Sequence, residues 1–137
     1  MSDCIFCKLA NGEIPTNTVY EDENYRVIMD ANPANPGHAL VLPKKHGKDI
    51  FELDSDTVAG AHAVAKKVAE AAVEVLKADG VNILQNNGEA AGQTVSHFHI
   101  HVIPRFKKDW PAMPLHQAAV TEEETKKICA DLAAAIK

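Results

Sequence analysis

The spacing of apolar positions changes several times along the chain, and each change marks an element. Cys4 to Ala10 reads as a short helical turn, broken by Gly12-Glu13-Ile14-Pro15. Thr18-Val19-Tyr20-Glu21 and Tyr25-Arg26-Val27-Ile28-Met29 are strand-forming runs on either side of a polar Asp22-Glu23-Asn24, which predicts a hairpin. Asn32-Pro33-Ala34-Asn35-Pro36-Gly37 can only be loop. His38 to Pro43 predicts a third strand, ended by its proline. From Asp54 to Ala78, Val58, Ala61, Val64, Ala65, Val68, Ala72, Val75 and Leu76 recur every three or four positions. That spacing predicts a long helix with one buried face, capped by Asp54 or Ser55 and stopped by Asp79-Gly80. Val81 to Leu84 predicts a fourth strand, Asn86 to Gln93 a polar loop, and Thr94 to Arg105 a fifth strand. Thr121 caps a last helix whose first turn, Glu122-Glu123-Glu124, complements the helix dipole. The expected class is α+β: an antiparallel sheet with one long and one terminal helix.

The length, 137 residues, predicts a single domain spanning 1–137. With 46% apolar and 24% charged residues the composition is that of a globular chain. A formal net charge of -5 argues against a nucleic-acid partner, which needs a surplus of clustered Lys and Arg. A small anionic ligand remains open. No apolar run approaches the roughly 20 residues of a membrane span. The N-terminus lacks a basic segment followed by an apolar stretch, and three cysteines do not make a disulfide framework. The expected location is cytoplasmic.

Chemistry concentrates in His97-Phe98-His99-Ile100-His101-Val102-Ile103. Three histidines alternate with apolar residues. On a strand they share one face, about 6–7 Å apart, while Phe98, Ile100 and Val102 face the core. The expectation is a wet imidazole face and a dry packing face. Such a row can bind a metal. Alternatively one imidazole attacks a phosphate while its neighbours manage charge and protons. The loop Asn86 to Thr94 supplies amide, hydroxyl and backbone donors just before this segment.

The histidine row matches the signature of the histidine triad (HIT) family. Cys4-Ile5-Phe6-Cys7, Gly12-Glu13-Ile14-Pro15, Gly37-His38-Ala39-Leu40-Val41, Pro43-Lys44-Lys45-His46, Asn86-Asn87-Gly88 and Gly92-Gln93-Thr94-Val95 also resemble its members, in the family's order. The Hint-like branch of bacterial HIT proteins is most similar. The resemblance implies a HIT-like fold that pairs through the long helix and a strand edge into a homodimer with a ten-stranded sheet. It implies a hydrolase or transferase that cleaves a purine nucleoside 5′-phosphate from a phosphoramidate or dinucleoside polyphosphate. His99 would be the nucleophile, His101 would contact the phosphate and the leaving group, and His38 would steer protons. Gly92, Gln93 and Thr94 would bind phosphate, Asn86 ribose or phosphate, and Asp30 the ribose hydroxyls. Phe6, Ile14 and Ile28 would line a purine slot, with Ile5 and Leu9 nearby. Read without the family, Asp30 is a turn-former and the apolar residues are core. A catalytically weak nucleotide- or zinc-binding regulatory module is the alternative to an enzyme.

Cys4-x-x-Cys7 has three readings: a redox dithiol, a pair of buried apolar residues, or half of a zinc site. By resemblance, Cys4, Cys7, His46 and His97 would hold a structural Zn²⁺ with no open position, leaving His99 and His101 for chemistry. Cys129 is expected in the core and His62 on the surface. His116 has no demanded role. Trp110 is either an anchor or, by resemblance, a contact to a partner subunit's site. Phosphoramidate or dinucleoside preference and adenine or guanine selectivity stay open, as does the role of residues 106–120.

Overall fold

The computed structural model describes residues 3–110 and 121–135, the latter chiefly by backbone. In chain order the elements are α1 (Ile5–Ala10), β1 (Thr18–Glu21), β2 (Tyr25–Met29), β3 (Ala39–Pro43), α2 (Ser55–Leu76), β4 (Gly80–Leu84), β5 (Ile100–Arg105) and α3 (Glu122–Ala135). The strands form one antiparallel sheet in the order β1-β2-β3-β5-β4. This is the expected α+β class with five strands, a long helix and a terminal helix.

Alternation along the strands sorts side chains onto two faces. Tyr25 and Val27, Ala39 and Val41, and Phe98, Ile100 and Val102 join Ala61, Val64, Ala65 and Val68 of α2 in one buried cluster. Ile28, Leu40 and Leu42 point the other way and meet Ala10, Phe6 and Leu9 around α1. Because β3 is covered on both faces, it is buried at every position. By the same parity, Asp30, His38, His99 and His101 follow Ile28, Leu40 and Leu42 to the α1 side. The sheet therefore separates the packed helix face from the polar face that α1 only partly roofs.

Local chemistry explains most boundaries. Asp54 caps α2 by accepting from the Thr57 N–H at 3.0 Å. Thr121 caps α3 as expected, its Oγ1 accepting from the Glu124 N–H at 3.1 Å while the Glu124 carboxylate accepts from Thr121.

Three expectations are corrected. The helix stops at Leu76, before Asp79-Gly80, because Lys77 adopts the left-handed conformation (φ 57°) that ends it, and Gly80 opens β4. Val75 and Leu76 lie outside the buried face; Val75 is 73% exposed. The fifth strand begins at Ile100 rather than Thr94. The β3–β5 register pairs Val41 with Ile100, so extending it would oppose Pro43 to Phe98, and proline has no N–H to continue the ladder. Phe98 instead donates its N–H to the Gly47 carbonyl at 2.8 Å.

Candidate active site and metal centre

Two clusters of functional side chains lie on the α1 side of the sheet, joined by His97. The first gathers Cys4, Cys7, His46 and His97, with all ligand atoms within 4.8 Å of one another. Cys4 is the N-cap of α1, and its Sγ accepts from the Cys7 N–H at 3.3 Å, so the first turn brings both sulfurs to one side. His97 Nε2 faces the Pro43 carbonyl at 2.9 Å and must donate to it, which leaves the Nδ1 lone pair aimed at the cluster. His97 Nδ1 lies 3.4 Å from each sulfur and 3.2 Å from His46 Nδ1, and His46 Nδ1 lies 3.2 Å from Cys7 Sγ. A tetrahedron with metal–N near 2.0–2.1 Å and metal–S near 2.3 Å has edges of about 3.4 Å (N to N) and about 3.6 Å (N to S). The four side chains fit a tetrahedral divalent metal. Burial, and then the Cys4 thiol, push the Cys7 thiol up to about 11, whereas burial holds His97 neutral with a value of about 4. A cation binding there would displace the thiol proton and find the imidazole lone pair free.

The second cluster is Asp30, His38, His99 and His101. His99 Nδ1 lies 2.7 Å from the carbonyl of His97 and must donate to it, which leaves its Nε2 as a lone pair. Phe6 stacks edge-on against the His99 ring with centroids 4.9 Å apart. The other two rings are fixed by a chain of donors. The Ala34 N–H donates to His38 Nδ1 at 2.9 Å, so neutral His38 carries its proton on Nε2. That Nε2 sits 3.0 Å from His101 Nδ1 and 3.3 Å from Asp30 Oδ2. His101 Nδ1 is thereby an acceptor, and the proton of His101 resides on Nε2. Burial lowers all three imidazoles from the usual range, His101 to about 4, with neighbouring His99 and His38 adding to the effect. The Asp30 carboxylate opposes this shift in each ring. Asp30, His38 and His101 also lie close enough to chelate a cation. However, a metal at His38 Nε2 would force its proton onto Nδ1, against the Ala34 N–H.

The imidazole face is not wet. His97 is fully buried and His99 is 6% exposed. Both precede the paired part of β5, where α1 closes over them and the His97 ring packs near Phe6 and His46.

His99 and His101 line a cavity of about 540 Å³ with Asp30, Ile28, Phe6, Leu9, Leu40 and Thr94 among its walls. It has one apolar side from α1 and β2 and one polar side from the histidines. Ile14 is half-buried in the turn after α1, and Ile5 and Leu9 stand where the slot was expected. Thr94 is also a wall of a second, polar cavity of about 550 Å³ with Gly88, Gly92 and Gln93. The Gln93 amide is occupied: Oε1 accepts from the Gly88 N–H at 2.7 Å, and Nε2 donates to the carbonyls of Lys48 and Val95. Gln93 thus shapes the loop, and Asn86 packs near Gly92, 3.6 Å from where a Cβ would stand. Asp30 also caps its own turn, accepting from the Asn32 N–H at 2.8 Å. His62 is exposed on α2 as expected, and Trp110 is exposed at the end of the first described stretch. His116 and residues 111–120 fall outside the described residues, as does the Cys129 side chain. The sequence reading missed Leu40, which strand parity with His38 would have placed here. It also missed the Ala34 N–H, for which a single sequence carries no signal.

The model of the HIT domain matches residues 11–108. An uncharacterized HIT-like protein of Methanocaldococcus jannaschii is 50% identical over 109 residues, covering 77% of this chain and 81% of that protein. The adenosine 5′-monophosphoramidase of Schizosaccharomyces pombe is 34% identical over 140 aligned residues, covering 98% of each. Among solved structures, a Zn-bound histidine triad family protein from Mycobacterium smegmatis superposes with a TM-score of 0.77 at 40% identity, covering 98% of this chain and 99% of that one. The extent of these matches, together with the histidine row that lines the cavity, makes the chain a member of the HIT family.

Proposed function

We propose that this chain is a nucleotide hydrolase that moves a purine nucleoside 5′-phosphate from its leaving group to His99 and then to water. The observation that carries this reading is the His99 ring: Nδ1–H is held by the His97 carbonyl at 2.7 Å, and the ring lines a cavity large enough for a mononucleotide. A neutral imidazole with a fixed lone pair is a nucleophile at neutral pH without further activation.

His99 Nε2 attacks the α-phosphorus and the bond to the leaving group breaks. The Nε2–H of His101 hydrogen-bonds to the leaving amine or phosphate as it departs, and an amine takes its proton from water. His38 Nε2–H, 3.0 Å from His101 Nδ1 and 3.3 Å from Asp30 Oδ2, keeps the proton of His101 on Nε2. The nucleotidyl-imidazole is cationic, and the His97 carbonyl on Nδ1–H stabilises that charge. Water then attacks phosphorus and gives up its proton to solvent, and His99 leaves with its lone pair restored. The Thr94 hydroxyl and the loop amides about Gly92 supply donors to the phosphate oxygens. Asp30 is assigned to the ribose, while Phe6, Ile28 and Leu40 provide an apolar slot for the base.

Cys4, Cys7, His46 and His97 are assigned to one structural zinc ion per chain. Four protein ligands leave no open position, so the ion supplies rigidity and no reaction chemistry. The phosphoramidase relative and the Zn-bound relative support both assignments. The test is turnover of an adenosine 5′-phosphoramidate bearing a fluorescent amine, in parallel with a dinucleoside polyphosphate. Release of amine and AMP is expected for wild type and absent for His99→Asn. Equal turnover by both proteins would refute the assignment.

A further inference from the structure

We propose that the Asp30–His38 loop is a positioning element for catalysis, in which the Ala34 N–H, braced by Asn35 on Asp109, fixes which nitrogen of His38 and hence of His101 carries the proton. The proposal rests on the reading of His101 Nε2–H as hydrogen-bond donor to the leaving group.

The loop has the connections that such a task needs. Backbone bonds from Asp30 N–H to His38 carbonyl (3.0 Å) and from His38 N–H to Asn35 carbonyl (3.1 Å) close it at both ends. Asp30 Oδ1 accepts from Asn32 N–H inside it. Gly37 turns the chain at φ +90°, and a Cβ there would meet the Leu76 side chain and stand 3.0 Å from Pro104. Asn35 then ties the loop outward: its Nδ2 donates to the Pro104 carbonyl at 3.0 Å and to Asp109 Oδ2 at 2.8 Å. Asp109 is itself anchored, its carboxylate accepting from the Phe106 N–H at 2.6 Å and its N–H donating to the Phe106 carbonyl at 2.8 Å. The turn after β5 thus holds the loop whose N–H points at His38.

The chemical consequence follows from the donor inventory. An N–H facing Nδ1 admits only the His38 form protonated on Nε2. His38 then donates toward His101 Nδ1, so the proton of His101 resides on Nε2. Asp30 Oδ2, 3.3 Å from His38 Nε2, favours the same form, so loss of the Ala34 donor leaves a weaker preference and admits a fraction of the other form, whose Nε2 lone pair faces the His101 Nδ1. His101 would then move its proton to Nδ1 and present a bare lone pair to the leaving group. Ala34, Asn35 and Asp109 act through His38 and touch no reacting atom.

The test reads the protons directly. Two-bond ¹⁵N–¹H correlation of the imidazoles of wild-type protein at pH 7.5 should show His38 and His101 as Nε2–H and His99 as Nδ1–H. His38 found as Nδ1–H would overturn the proposal on the wild-type protein alone. Ala34→Pro removes the N–H, whereas Ala34→Gly keeps it. Ala34→Pro and Asp109→Ala are expected to mix the His38 forms and lower kcat by about tenfold, less than the ~10²–10³ that outright loss of a transition-state donor costs, with little change in KM. Ala34→Gly and Asp109→Asn, whose amide oxygen can still accept, should keep wild-type spectra and kcat. A folded Ala34→Pro or Asp109→Ala protein with wild-type spectra would contradict the proposal. The expected wild-type spectra in a protein that cleaves neither nucleotide substrate would leave the positioning device standing and defeat the proposed activity.

Discussion

His97 serves two centres with different atoms. Its Nδ1 faces the thiols, its Nε2–H is held by Pro43, and its carbonyl fixes the ring of His99, the proposed nucleophile. Burial keeps this ring and those of His38, His99 and His101 below the ordinary histidine value of 6.5. Two pH effects follow. His99 stays nucleophilic through pH 6.5, so the acid limb of kcat/KM should lie below that value; an acid limb at or above 6.5 would be inconsistent with the buried rings. For stability, the unfolded chain takes up protons near pH 6.5 and the folded chain does so only at lower pH. Stability should therefore be level from about 6.5 to about 8 and fall as pH drops from 6.5 toward about 4, where His101 titrates. Urea midpoints at pH 7.5, 6 and 5 check the sign. The hydroxyl of Thr94 is the other testable atom. Thr94→Ala should lower kcat by about 10²–10³, as for loss of one transition-state donor, and Thr94→Ser should restore it.

Helix α2 offers a stability test in which two effects oppose. Alanine is better than glycine inside a helix by about 1 kcal/mol. At Gly60, however, a Cβ would collide with the Tyr25 hydroxyl, which donates to the Thr57 carbonyl at 2.7 Å. Overpacking costs about 1–3 kcal/mol, and a misplaced buried phenol adds to it, so Gly60→Ala should destabilise in urea denaturation. Helix α1 is one and a half turns long and cannot hold itself in water. Cys4→Ala should lose the metal by elemental analysis and lower the thermal midpoint, while His99 keeps its carbonyl.

The hairpin strands and β3 were legible because their alternation and turn residues agree; β1 and β2 have the expected bounds. Alternation also placed Phe98, Ile100 and Val102 against α2. What it did not reveal was the start of β5 and the burial of His97 and His99. Both depend on partners distant in sequence: Pro43, which ends the ladder, and α1, which folds over the rings. The ligand quartet was read by resemblance, since its spacings of 3, 39 and 51 residues give no local signal.

Across the whole molecule the polar site lies on one side of the sheet and unfilled apolar surface on the other. Val73, Val75 and Leu76 of α2 and Ile83 of the edge strand β4 are exposed. The homodimer that the family resemblance implies would pair through this surface. Sedimentation should give about twice the 14.8 kDa of the chain, and Val75→Asp with Leu76→Asp should shift it toward the monomer. A wild-type monomer at micromolar concentration would oppose that pairing. The proposed reaction is tested most directly by rapid acid-free quench of wild type mixed with an adenosine 5′-phosphoramidate, followed by mass spectrometry of the intact chain and its peptides. One acid-labile adenylyl group per chain, located on His99 and missing from His99→Asn, is the expected result. Turnover without any adduct in wild type, or an adduct on another residue that survives His99→Asn, would contradict it.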